Sequence, residues 1–293
     1  MDGILLIDKP EGLSSHDIVS QLKKTFSLRK IGHGGTLDPL ASGLLIMLIG
    51  KATRLAEFVI GHDKTYQVTA FLGEHRDTFD ADGQIIDISE KILSEEQIRQ
   101  AFIEFPREYL QTPPAYSAKK VSGLASYKLA RKGQPVKLKP SLVKIRKLEL
   151  LNIRFPTIEF IATVSSGTYI RSLVVDIAET LGTFAYVKQL RRIQSGFFDI
   201  SNAHKFSIVL NMSKNEFRKS ILPMSLAVAN FPKITLAKSN VKRFITGQAL
   251  DLQNQLPDGF FSVFSENDIF VGICKIQSNN IISRKVLHNE DIS

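Results

Sequence analysis

Between Lys119 and Lys147 the chain carries ten basic residues and no acidic one. A segment with that charge cannot enter an apolar core, so it must project from the folded body. Its first part belongs to a stretch, Gln111 to Pro140, punctuated by Pro113-Pro114, Gly123, Gly133 and Pro135. The pattern predicts an inserted arm with one short helical stretch around Leu124 to Leu129. The cluster's +10 exceeds the whole-chain charge of +9, which leaves the remainder at −1. A single-sign segment on a near-neutral body is the footprint of a polyanion binder. Tyr116 and Tyr127 are interleaved with the cations and can stack on bases. Nothing in the pattern favours a membrane.

Several function classes are excluded. The single cysteine, Cys274, rules out a disulfide framework and any Cys-rich zinc or iron–sulfur site. The longest purely apolar run, Leu44 to Ile49, is far short of the ~20 residues that a membrane span needs. The sequence opens with neither a secretory signal nor an Arg-rich presequence, which predicts a cytoplasmic protein. The six histidines are scattered, with no ligand pair at helical spacing, so no metal is expected. Ser-His-Asp chemistry finds no Gly-x-Ser-x-Gly elbow to support it.

At 293 residues the chain is long enough for about two domains. Gly3 to Ile7 reads as a buried strand, ending in the turn Asp8-Lys9-Pro10-Glu11-Gly12. Ser14 or Ser15 then caps a helix whose apolar face is Ile18, Val19, Leu22 and Phe26. A helix is expected over Thr53 to Val59 and a strand over Thr65 to Leu72. The acidic stretch Glu74 to Asp87 reads as a surface excursion. Ser94 to Gln97 is a capping box, residues 142–164 read as paired strands, and a strong helix begins near Thr168 and ends at Gly182. From Phe231 four short β-like runs and one helix, Asn240 to Ile245, suggest a separate β-rich module. The whole predicts an α+β catalytic domain on a mixed, largely antiparallel sheet, followed by a small β-rich domain.

The candidate chemistry gathers on Gly32 to Gly43. Glycines let the backbone approach a ligand closely, and a residue before proline is biased to extended backbone, so Asp38 is presented on a constrained loop. The stretch lacks the Lys-Ser/Thr ending of a phosphate loop and the spacing of a dinucleotide fingerprint, so neither ATP nor NAD is expected. Arg171, in the first turns of its helix, is placed to pair with Asp38. Taken alone, Tyr66 reads as a half-buried strand aromatic, Lys9 as an ordinary surface lysine, and the couples His62-Asp63 and Glu74-His75 as polar surface.

Together, several segments resemble the TruB family of tRNA pseudouridine synthases. They are Leu5 to Pro10 with Gly12-Leu13-Ser14-Ser15; Gly32-His33 through Asp38-Pro39-Leu40-Ala41-Ser42-Gly43; Lys64-Thr65-Tyr66; Gln111 to Ala118; and Ser165 to Arg171 with Leu190-Arg191-Arg192. They stand in the family's order and at its spacing over residues 3–196. One departure is Gly34-Gly35, where the family often has Thr-Gly, in a loop expected to pack on RNA.

The resemblance implies a pseudouridine-synthase fold over residues 1–230, with a mobile RNA-binding thumb at about 107–140. It implies a PUA-like RNA-binding module at 231–293. It implies isomerisation of the uridine at position 55 in the tRNA T loop, by glycosidic-bond cleavage, base rotation and C5–C1′ bond formation, without cofactor or metal. Asp38 is then the carboxylate acting at the sugar, Tyr66 stacks on the base, and Arg171 pairs with Asp38. Tyr169 and Leu190 line the base pocket, His33 contacts the T loop, and Lys9 supports the floor. Lys119, Lys120 and Arg131 of the arm are the expected RNA contacts. The expected partner is the T-arm stem-loop of tRNA, bound by a monomer. Three rivals stand beside this reading. A non-catalytic tRNA-binding or remodelling protein would not need Asp38, Tyr66 and Arg171 together. A guide-RNA-dependent relative usually lacks the arm. A glycoside hydrolase needs two carboxylates flanking the bond.

Overall fold

The computed structural model describes residues 1–117, 119–121, 124–126, 138–248, 250–251, 256–278 and 280–287. Strand β1 (Gly3–Lys9) is followed by helix α1 (Ser15–Thr25), β2 (Ile31–His33) and β3 (Ser42–Ile49). A 3₁₀ turn over Gly50–Leu55 leads into α2 (Ala56–Ile60), so the helix expected over Thr53 to Val59 is split between two helical forms. Next come β4 (Lys64–Leu72), the hairpin β5 (Glu74–Arg76) and β6 (Ile85–Ile88), α3 (Glu95–Glu104) and β7 (Glu108–Gln111).

In the arm, β8 (Lys120–Val121) pairs antiparallel with β9 (Leu124–Ala125). Leu124 and Ala125 are therefore strand, where a helical stretch was expected, and residues 127–129 of that stretch lie outside the described residues. The long pair β10 (Ser141–Arg154) and β11 (Thr157–Val164) precedes the helix Ile170–Thr180. That helix starts two residues later than expected, because Tyr169 keeps extended backbone at its N-cap. Strand β12 (Ala185–Ser195) follows, then the short β13 (Phe198–Asp199) and β14 (His204–Lys205).

The central sheet runs β14-β1-β3-β12-β4-β11-β10-β7, with β2 beside β3 and β13 beside β12. Among the described strands of this sheet only the pairs β1·β14 and β3·β12 are parallel. Strands β1 and β3 are apolar on both faces, as a doubly covered sheet requires. Leu5, Ile7, Leu45 and Met47 face the core that contains Ile18 and Leu22 of α1 and Leu173 of the Ile170–Thr180 helix. Ile4, Leu6, Leu44, Ile46 and Leu48 face a second core.

Part of that second core comes from the C-terminal module. There β15 (Lys233–Leu236), β16 (Leu250–Asp251), β17 (Gly259–Ser265), β18 (Phe270–Gln277) and β19 (Asn280–Val286) form a sheet ordered β15-β17-β18-β19-β16. The helix Lys238–Ile245 covers it through Val241 and Phe244. Phe270, Ile273 and Leu287 of this module are buried against the β1/β3 face. Phe58 of α2 packs edge-on against Phe231, and Lys285 pairs with Glu57 at 2.7 Å. No helix among the described residues is long and apolar enough to cross a membrane.

Candidate active site

Asp38 is positioned by backbone tied down on both sides. Ser14 caps α1 through a capping box with Asp17, which frees the Ser15 hydroxyl to donate to the Leu37 carbonyl at 3.0 Å and accept from the Leu37 N–H at 2.8 Å. The Pro39 carbonyl accepts the Gly12 N–H at 2.9 Å and Lys9 Nζ at 3.4 Å. From below, the Arg192 guanidinium, 1 % exposed, donates to the carbonyls of Leu44 at 2.7 Å, Gly35 at 3.1 Å and Thr36 at 3.4 Å. One cation on β12 therefore gathers both ends of the loop. Gly35 has φ +130°, a conformation that suits glycine, and an added Cβ there would stand 3.6 Å from Arg192 Nη1.

Lys9 is not a surface lysine. It is fully buried, and its ammonium donates to the carbonyls of Pro10 at 2.8 Å and Leu13 at 2.6 Å. Burial pulls its pKa down to about 8, while Asp38 draws it the other way. Lys64 at the start of β4 behaves alike. It donates to the carbonyls of Ile60 and His62, both at 2.6 Å, and burial with the nearby Arg192 charge brings it to about 8.

Arg171 projects from the first turn of its helix and pairs with Asp38, Nη2 to Oδ2, at 2.8 Å. The arginine is buried, whereas the Asp38 side chain is 41 % exposed. Three further acceptors hold the guanidinium: the carbonyls of Thr78 at 2.9 Å and Tyr116 at 2.8 Å, and the Asp80 carboxylate at 3.5 Å. Asp80 belongs to the stretch expected to be a surface excursion, yet it is 6 % exposed. The hairpin folds back because the Ala81 N–H donates to the Val187 carbonyl and the Val187 N–H to the Phe79 carbonyl. The same stretch places His75 between the rings of Phe79 and Phe184, and His62 lies against Phe197 and Phe198, so neither is plain polar surface.

A cavity of about 280 Å³ opens above the Asp38–Arg171 pair. Tyr66, Tyr169 and Leu190 line it with Lys64 and Arg192, and among the described residues Asp38 is the one carboxylate in its wall. Tyr66 on β4 is 8 % exposed, more deeply set than a half-buried strand aromatic. Tyr169 is fixed by Gln111, whose amide accepts the Tyr169 N–H at 2.8 Å and donates to its carbonyl at 3.2 Å and to the Tyr109 hydroxyl at 2.8 Å. Tyr109 in turn donates to Asp176 at 2.6 Å. His33 lies on β2 outside the cavity wall. Its Nδ1 is buried without a partner, and burial and Arg192 hold the ring below the usual histidine pKa.

Of the arm residues, Lys119 reaches the Lys139 carbonyl at 3.3 Å. The Lys120 side chain and all of Arg131 lie outside the described residues, as does Tyr127. The residues missed from sequence are Asp80, Thr78 and Arg192. The Leu190-Arg191-Arg192 segment, part of the resemblance but with no role for its last residue, was the available signal for Arg192. Among the described residues no group of three or more His, Cys, Asp or Glu side chains is placed to hold a metal.

The Gly34 position is also explained. Its N–H donates to the Ile46 carbonyl at 2.8 Å, and an added Cβ would stand 2.4 Å from Val59 Cγ1. At Gly34 the departure therefore meets the protein's own α2.

Three family models match the chain: the TruB family pseudouridylate synthase N-terminal domain over residues 23–170, the tRNA pseudouridylate synthase B C-terminal domain over 171–229, and the pseudouridine synthase II TruB C-terminal model over 232–287. The tRNA pseudouridine synthase B of Aquifex aeolicus (strain VF5) is 38 % identical over 98 % of this chain and all of its own length. That of Actinobacillus pleuropneumoniae serotype 5b (strain L20) is 36 % identical over 96 % of this chain and 93 % of its own. Among solved structures, an H/ACA RNP bound to a substrate RNA containing 2′-deoxyuridine aligns at TM-score 0.76 and 26 % identity, over 99 % of this chain and 86 % of that one. A Cbf5-Nop10-Gar1 complex aligns at TM-score 0.75 and 27 % identity, over 98 % and 85 %.

Proposed function

We propose the following course for the reaction of this chain, which belongs to the TruB family of pseudouridylate synthases and isomerises uridine in tRNA to pseudouridine. The target is the T-loop uridine at position 55, and Asp38 is the carboxylate that acts at its sugar. A base stacked inside a folded loop must be flipped out before its C1′ is reachable, at a cost of a few kcal/mol. The cavity over Asp38 receives the flipped uridine, with Tyr66, Tyr169 and Leu190 as apolar walls. The C1′–N1 bond breaks, the uracil turns in place, and C5 bonds to C1′. The C5 proton leaves and N1 gains one, so the product is an isomer and nothing else is consumed.

The chain's own groups supply orientation and charge. Arg171 fixes one Asp38 oxygen and leaves the other free for the sugar. Lys64 and Arg192 in the cavity wall, with Lys9 behind Pro39, make the site electropositive and favour the phosphates flanking the flipped nucleotide. His33 beside the cavity, with Lys119, Lys120 and Arg131 of the arm, contacts the T arm. Residues 231–293 add an RNA-binding module, and the enzyme acts as a cytoplasmic monomer.

The observation that carries this reading is the lone cavity carboxylate paired with a buried arginine. It also counts against a glycoside hydrolase, which needs a second carboxylate across the bond. Relatives of about 37 % identity that cover 94 % of the chain carry the name tRNA pseudouridine synthase B, which favours a stand-alone synthase over a guided one. The test is tritium release from tRNA labelled at uridine C5. Wild type should release label, and Asp38→Asn should lose at least about 10²-fold of the rate while keeping tRNA affinity. Release by Asp38→Asn at the wild-type rate would remove Asp38 from the chemistry.

A further inference from the structure

The structure assigns a second ligand site to this chain: a cleft at the opposite end of β1, built to take a nucleotide. Lys9 at the end of β1 supports the catalytic loop, while Met1 and Asp2, before its start, border this cleft. Six residues of strand at ~3.3 Å each separate the two ends by roughly 20 Å.

The cleft, about 500 Å³, lies in the range of small-ligand sites. Its floor is apolar and preformed. The rings of Phe26 and Phe217 stack on each other at 3.6 Å, and with Leu28 and Ile49 they back the cleft, each at most 9 % exposed. The walls are tied by backbone bonds: Leu28 N–H to the Lys23 carbonyl at 3.0 Å, and Gly50 N–H to the Lys30 carbonyl at 2.9 Å. Gly50 has φ +60°, and an added Cβ would collide with Asp2 and Met1 folded across it.

The rim is cationic. Arg29 and Lys30 come from the loop after α1, Lys51 and Arg54 from the turn after β3, and Lys214 and Arg218 from the helix Lys214–Lys219. None of the six forms a salt bridge with a carboxylate among the described residues. Arg54 spends one N–H on the Val286 carbonyl. Asp2, the one acid among the described residues bordering the cleft, accepts the Lys51 N–H at 2.7 Å. Unpaired cations around an apolar floor match a ligand with a flat, weakly polar part and a phosphate. A nucleotide has both: its base lies on the floor and its phosphate meets the rim. The nucleotide is either free or part of tRNA.

The experiment measures binding by calorimetry for wild type and for the exposed pair Lys214→Glu/Arg218→Glu. The probes are AMP, adenosine, inorganic phosphate, full-length tRNA and the isolated T-arm stem-loop. Both proteins should release tritium equally from the T-arm stem-loop, which shows that the variant is folded and the catalytic site intact. If the ligand is a free nucleotide, AMP binds wild type at least tenfold tighter than either adenosine or phosphate, and the variant loses it. If tRNA supplies it, the variant weakens full-length tRNA and leaves the stem-loop unchanged. Every phosphate that the variant no longer neutralises then flattens the log–log salt slope by about 0.7–0.9. Phosphate binding as tightly as AMP would overturn the proposal, because the floor would then hold no base. Unchanged tRNA affinity with no AMP binding would overturn it as well.

Discussion

The Asp80 carboxylate stands 3.5 Å from Nη1 of Arg171, on a different nitrogen from the one that holds Asp38. Arg171 is thus shared between a carboxylate that faces the cavity and one that faces the protein. Burial pushes the Asp80 carboxyl above its ordinary pKa, although Thr78 and Arg171 pull the other way. A folded pKa above the unfolded one means that the native state binds the proton more tightly. Stability is therefore lost as pH rises through that window, which is the cost of burying the charged carboxylate.

Asp80→Asn removes this cost and keeps an acceptor for the Thr78 hydroxyl and the Asp82 N–H. The expected outcome is a Tm at pH 7 equal to or above wild type, with kcat reduced about 10-fold as Arg171 loses one of its four holds. Thermal melts beside tritium-release kinetics check it. A large fall in Tm would show that the pair serves folding.

Lys9 and Lys64 are both brought to about 8 by burial. An unfolded lysine keeps its proton to about 10.5, so between about pH 8 and 10.5 the unfolded chain binds more protons, and both lysines make stability rise with pH. At pH 7 both states are protonated and the burial cost is present in full. Lys64→Met should therefore flatten the rise in urea midpoint between pH 8 and 10 relative to wild type. Identical pH slopes for the two proteins would contradict the buried-ammonium assignment.

Gly34→Thr should destabilise by about 1–3 kcal/mol, the usual range for overpacking, because its Cβ collides with Val59. Val59→Ala opens space at that contact. The double variant should lie above the sum of the two single losses by at least about 0.5 kcal/mol. Urea denaturation of all four proteins measures this coupling, and strict additivity would place the strain elsewhere.

Gln111→Leu leaves the Tyr169 N–H without its acceptor and removes one bond each from the Tyr109 hydroxyl, which keeps Asp176, and the Tyr169 carbonyl, which keeps the Leu173 N–H. Each buried polar group left alone costs about 1–3 kcal/mol. The variant should melt lower and, because Tyr169 starts the helix that carries Arg171, lose kcat on tRNA as well. Gln111→Glu keeps the acceptor for the Tyr169 N–H and should recover part of the Tm. No recovery would assign the loss to packing alone.

What the chain reveals before folding is local. Asp38 is legible because Gly and Pro surround it within a few residues, and the Ser94 cap because its partner Gln97 is three residues away. Asp80 is not, because its burial depends on backbone bonds from Phe79 and Ala81 to Val187, more than a hundred residues on. Arg192 is hidden for a related reason. It sits fully buried in a strand, and only the carbonyls of a loop some 150 residues earlier make that position tolerable. The cationic cleft is the clearest case. Counting charge along the chain leaves everything outside the arm nearly neutral, yet three separated segments bring their cations together only in the fold.

The C-terminal sheet shares a buried core with β1 and β3. The two sheets are therefore halves of one solid, with no slip plane between them. Cutting the chain near residue 231 would bare the outward side of the strand that carries Lys9. A shortened protein would then lose its solubility and its catalytic geometry together, and its inactivity would say nothing about whether the removed module touches RNA. For the same reason RNA cannot be gripped by swinging one sheet toward the other, so any closure must come from segments that do not contribute to that core.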